Sequence, residues 1–165
     1  MASVMEWLEL QVPGFAQLTP EERDAAMQFA MLWGVFEGRA LHSQANPVTI
    51  AAAVAHWRVG GHLVPDIWMR SLPYFRARYF HAGAFTPHYH HLHVRPPDHP
   101  QTVEAVLRGN SDDPADIATT MLIIVYRFRN NFLHGQKWAY GLQGQLDNFK
   151  HASELLMRFA ALPPP

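Results

Sequence analysis

The sequence predicts an all-α bundle, and three observations carry that expectation. A cap-type residue stands immediately before proline at Thr19-Pro20, Asn46-Pro47 and Asp113-Pro114, a recurring helix-start signal. Downstream of each start, apolar residues return every three or four positions. The resulting order of three helices, a long connection and two more helices suits helices packed on helices. With 165 residues the chain is expected to form a single domain over 1–165.

The elements follow in order. Residues up to Pro13-Gly14 read as a short apolar lead-in. Thr19 then caps a helix with Pro20 in its first position and Glu22 where a capping box places a carboxylate. Met27, Ala30, Met31, Val35 and Leu41, with Phe29, Trp33 and Phe36 beside them, carry this helix to about Leu41. Asn46-Pro47 starts a second helix that runs to about Val59 and stops at Gly60-Gly61. A third helical segment is expected over Asp66 to Phe80, kinked or restarted at Pro73. Residues 81–112, rich in proline and histidine, read as a long connection with a short helix at Thr102–Leu107. Partial alternation at Tyr89–Val94 also suggests a short hairpin there. Asp113 caps the clearest helix, from Pro114 to His134, which Gly135 ends. A last helix is expected from Leu146 to Ala161, with Phe149, Ala152, Leu156 and Phe159 on one face.

Composition narrows the function. Hydrophobic residues make up 48%, enough for a real core, while the charged fraction of 16% lies below the ~25% of an average domain, as if a partner covers some surface. The net charge of −1 gives no support for non-specific nucleic-acid binding. A local basic cleft remains open: over 115–165, five basic residues (Arg127, Arg129, Lys137, Lys150, Arg158) face three acidic ones (Asp116, Asp147, Glu154), a balance of +2. There is no cysteine, which excludes disulfides, thiolate metal sites and cysteine nucleophiles. The longest apolar runs, such as Met121 to Val125, are too short to span a bilayer, and no signal peptide is legible, so a cytoplasmic location without membrane contact is expected.

The helix from Pro114 carries the chemistry. At about 100° per residue, Ile117, Met121, Ile124, Val125, Phe128 and Phe132 form one apolar stripe. The opposite side holds Leu122, Ile123, Tyr126 and Leu133, with Asn130 among them. A helix apolar on two faces is buried on two sides, and a second copy of the chain is the simplest cover for the outer one, giving a homodimer through this helix. Arg129 and His134 lie on the shoulders of that face, roughly 140° apart, so a two-fold axis would bring Arg129 of one copy toward His134 of the other.

The run Tyr126-Arg127-Phe128-Arg129-Asn130-Asn131-Phe132-Leu133-His134-Gly135-Gln136-Lys137 resembles the signature of HEPN domains, an arginine followed by a polar residue and then, after four to six intervening positions, a histidine. Arg129, Asn130 and His134 match those three positions with four residues between the arginine and the histidine. The longer run is similar to the prokaryotic branch that often reads Arg-Asn-Asn-Leu-Phe-His-Gly-Gly-Lys, and Leu32-Trp33-Gly34-Val35-Phe36-Glu37 resembles its aromatic-rich first helix with an acidic residue. The resemblance implies a HEPN-like helical bundle, a dimer through the motif helix, and a metal-independent endoribonuclease in a toxin-like or antiviral setting, with an antitoxin or other regulatory protein as partner and no cofactor. Residue chemistry agrees with RNA cleavage by the 2′-hydroxyl and a 2′,3′-cyclic phosphate product: histidine titrates near neutrality and arginine grips phosphate through two donors. Arg129, Asn130 and His134 are the candidate catalytic residues, supported by Glu37, Arg127, Asn131 and Lys137. Some HEPN toxins carry a tyrosine two positions after the histidine for control by nucleotide attachment; Gln136 stands there, and that control is not expected.

Plainer readings stand beside these. Arg129 and His134 are also what a surface arginine and a helix-end histidine look like. A non-catalytic module that binds RNA, nucleotide or protein would keep the same motif. Of the 11 histidines six lie between His81 and His99, and His88, His90, His91 and His93 are spaced closely enough to ligate zinc or nickel if they share a strand face. That makes a metal-binding helical protein the further alternative, although no carboxylate sits among them. The same loop would also serve by placing a histidine or Tyr89 against RNA bases. Trp7, Trp33, Trp57, Trp68 and Trp138 read most simply as core or interface anchors.

Overall fold

In the computed structural model, residues 3–133 and 144–165 are described, and they are mostly helical. Helix α1 (Val4–Gln11) opens the chain where only a lead-in was expected. Ser3 and Glu6 form a reciprocal capping box there, which is enough to start a helix that buries no residue of its own. The second helix, α2 (Pro20–Ala40), starts as the sequence predicts: the Thr19 hydroxyl accepts from the Glu22 amide, and Glu22 Oε2 accepts from the Thr19 amide. Its inner face is Ala26, Phe29, Trp33, Phe36 and Ala40, at helical spacing.

Helix α3 (Pro47–Val59) is capped by Asn46, whose side chain accepts from the Val48 and Thr49 amides. The third expected segment is split. A 3-10 turn at Pro65–Ile67 precedes α4 (Ser71–Tyr79), and Pro73 falls in the first turn of α4, where a missing amide costs no helical bond.

The hairpin lies elsewhere than expected. Strands β1 (Phe80–His81) and β2 (Ala84–Phe85) pair antiparallel through Ala82 and Gly83, both at positive φ (49° and 81°), the pattern of a two-residue hairpin turn. Tyr89–Val94 instead contributes to a short helix, α5 (Pro87–His90), and a turn. Its alternation is therefore no strand signal: Tyr89 and Leu92, three residues apart, point inward.

Three further helices follow among the described residues: α6 (Pro100–Arg108), α7 (Pro114–Leu133) and α8 (Leu146–Ala160). Asp113 caps α7 by accepting from the Ala115 and Asp116 amides. Helix α2 pairs most extensively with α8, while α3 and α6 lie along α7. Where α2, α7 and α8 meet, Phe29, Phe128, Phe132 and Phe149 pack edge-to-face, with centroids 4.9 to 6.3 Å apart. No described helix is long and apolar enough to cross a membrane.

Candidate functional site

Helix α7 is the central helix, and this changes the reading of its second face. Leu122 and Ile123, expected to need a second copy, are buried within the chain itself. Two apolar faces arise here because neighbouring helices of the same chain lie on both sides. Tyr126 is half-buried, its ring 6.2 Å from that of Trp33 on α2. The premise for a dimer through this helix is therefore met inside one chain.

The two arginines of the motif have different surroundings. Arg127 is buried, and its Nε and Nη2 donate to Oδ2 and Oδ1 of Asp98 at 2.6 and 2.7 Å. Asp98 is fully buried and also accepts from the Arg95 amide at 2.6 Å. The paired charge is neutralised and fork-shaped, so Arg127 clamps the proline-histidine segment to α7 and offers no free fork to a substrate.

Arg129, one half-turn later, is half-buried and has no carboxylate within ion-pair distance among the described residues. Its Nη1 donates to Asn130 Oδ1 at 3.0 Å, its guanidinium carbon lies 5.4 Å from the Trp33 ring centre, and its buried Nε has no partner among the described residues. An arginine held over an aromatic ring with donors unspent suits a phosphate.

Glu37 supports this arrangement from one layer back. Its Oε2 accepts from Trp33 Nε1 and its Oε1 from the Ala45 amide, both at 3.0 Å. It therefore fixes the indole beneath Arg129 and the α2–α3 connection together, and it forms no ion pair with Arg129. Asn131 faces away from Arg129: its Nδ2 donates to the carbonyl of His91 at 2.9 Å, a second tie between α7 and the proline-histidine segment. His134 and Lys137 lie outside the described residues, as does Trp138.

The candidate metal ligands His88, His90, His91 and His93 are all exposed, and among the described residues no three histidine or carboxylate groups come together to hold a metal. Helical and turn backbone fans these side chains apart, where a strand would have aligned alternate ones. Tyr89 is 7% exposed, stacked on Phe85 at 4.2 Å, and its hydroxyl donates to Glu104; burial and that carboxylate push the phenol up. Neither face of the ring is left for a base.

A second polar cluster joins α4 to α8. Tyr74 stacks on His151 at 4.1 Å and donates to Asn148, Ser71 Oγ lies 3.3 Å from His151 Nδ1, and Arg78 donates to Gln145. Burial holds the His151 imidazole below its ordinary range. Asp98 and this cluster escape sequence reasoning, because each joins residues tens of positions apart without a local pattern.

No known family, characterised protein or solved structure matches the chain.

Proposed function

We propose that the chain is a HEPN-like, metal-independent endoribonuclease in which Arg129, Asn130 and His134 do the work. The observation that carries this reading is the contrast between the two arginines: Arg127 is consumed by Asp98, whereas Arg129 sits near the end of α7 with no carboxylate partner among the described residues, held by Asn130 and Trp33. In the reaction the 2′-oxygen loses its proton and bonds to the adjacent phosphorus. The bond from phosphorus to the 5′-oxygen breaks, and that oxygen takes up a proton. The products are a 2′,3′-cyclic phosphate and a 5′-hydroxyl. Arg129 stabilises the extra negative charge on the phosphoryl oxygens, and His134 moves a proton. An antitoxin or other regulatory protein would be the natural control.

The test is cleavage of RNA by the purified protein in excess chelator. The parent is expected to cut, His134→Ala to lose ~10²–10⁴-fold, and an RNA with a 2′-deoxy sugar at the cut position to resist. Equal cutting of that substrate, or unchanged activity in His134→Ala, would sink the chemistry. An inactive parent that still binds RNA through Arg129 would establish the non-catalytic module instead.

A further inference from the structure

Among the described residues, the outer face of α2 is apolar without a cover. Met27, Met31 and Val35 are 56%, 76% and 52% exposed on a helix whose opposite face is core. Gly34 and Gly38 lie on the same outer face, and a Cβ at either would meet nothing within 4 Å among the described residues. All of these fall within about 60° of Met31 around the helix axis.

We propose that this face is where two copies of the chain pair, their α2 helices antiparallel with Met31 on the two-fold axis. The charge pattern argues for a second copy and for that direction. Asp24 lies about 10 Å before Met31 along the axis and Arg39 about 12 Å after it, on the same flank. Both are exposed, and neither has an ion-pair partner among the described residues. Rotation by 180° about Met31 sets Asp24 of each copy against Arg39 of the other, two opposite-charge contacts from one symmetry operation. A parallel pairing would oppose like charges. In the antiparallel register Met27 falls over the partner's Gly34 and Gly38, where the missing side chains leave room, and Met31 meets Met31. The helices run alongside each other for about 31 Å. The pairing stands whether or not the protein cuts RNA.

The experiment uses the full chain and measures mass by light scattering at micromolar concentration, with circular dichroism to confirm the fold. The parent is expected to be a dimer and Met31→Glu a monomer of unchanged helicity. Asp24→Arg and Arg39→Asp, each alone, should weaken the dimer about tenfold, and together should restore it, because the exchanged charges again oppose. In this cysteine-free chain Met31→Cys should oxidise to a covalent dimer, whereas Val59→Cys, 91% exposed on α3, should not. A monomeric parent at ~100 µM would overturn the pairing, as would a dimer indifferent to Met31→Glu or a charge exchange that fails to restore affinity. RNA cleavage is scored separately, so failure here leaves the nuclease proposal standing and the converse holds.

Discussion

Removing Asp98 should destabilise the protein far more than removing any surface carboxylate. Asp98 is fully buried, and its bidentate partner Arg127 is only 6% exposed. Asp98→Ala leaves the guanidinium without its counter-charge and the Arg95 amide without its acceptor. Breaking a buried pair from one side costs about 3–5 kcal/mol, a large part of the ~5–15 kcal/mol that holds a domain folded. For a chain of this length that is a fall in Tm of roughly 6–20 °C. Urea and thermal unfolding followed by circular dichroism would read the loss directly. Arg127→Met should cost a similar amount, because it strands the carboxylate. The pair Asp98→Leu with Arg127→Met removes both charges and should lie closer to the parent than either single change, leaving only the Arg95 amide, at about 1–3 kcal/mol. Single losses below about 1 kcal/mol, or a double loss equal to the sum of the singles, would refute the clamp.

Other outcomes separate support from chemistry. Glu37→Gln should leave RNA cleavage per folded molecule within a few-fold of the parent, since Glu37 contacts Trp33 and Ala45; a loss of ~10² or more in the rate constant would make it a participant. Asn131→Ala should lower stability by about 0.5–1.5 kcal/mol in urea unfolding and leave cleavage intact, because its bond goes to the His91 carbonyl. Arg129→Lys should unfold with the parent yet lose cleavage, since lysine keeps the charge without the planar fork. His151 is held below its ordinary value of 6.5 by burial, so as pH falls the unfolded chain takes up the proton first. Stability from this group is complete above about pH 7 and declines as pH drops through 6.5 toward the lower folded value. Tm measured against pH should therefore slope less in His151→Phe across that window, and an unchanged slope would remove the imidazole from the account.

The capped helices were legible because their signals are local. Thr19-Pro20 with Glu22, Asn46-Pro47 and Asp113-Pro114 mark the starts of α2, α3 and α7, and each cap is made as the residue types require. Helix α1 was missed: the short apolar stretch read as a lead-in, although the Ser3-to-Glu6 spacing carries a capping-box signal. The hairpin was misplaced because Ala82-Gly83 is a poor advertisement for a turn with two positive φ angles, whereas Tyr89–Val94 imitates alternation. The outer face of α7 was misread for a topological reason. Leu122 and Ile123 would look the same whether another chain or this chain's own helices covered them. Within the motif, the resemblance set Arg129 as catalytic and Arg127 as support for the site; that Arg127 instead clamps the fold shows only through the distant Asp98.

The pairing of α2 with α8 also bears on how the protein is made. Phe29 waits for Phe149, 120 residues downstream, and the Trp57 indole donates to the Pro163 carbonyl, 106 residues on. At about 5–20 residues per second, a ribosome needs on the order of 10 s to supply the missing half of that core. During that interval the aromatic face of α2 has no lasting cover, and the nascent chain presents it to chaperones and to neighbouring nascent chains. Contacts of such wide separation also slow folding after release. The end of α7 that carries Arg129 is thus assembled on a scaffold that α8 closes, so a chain made only as far as α7 lacks the settled platform on which its arginine rests.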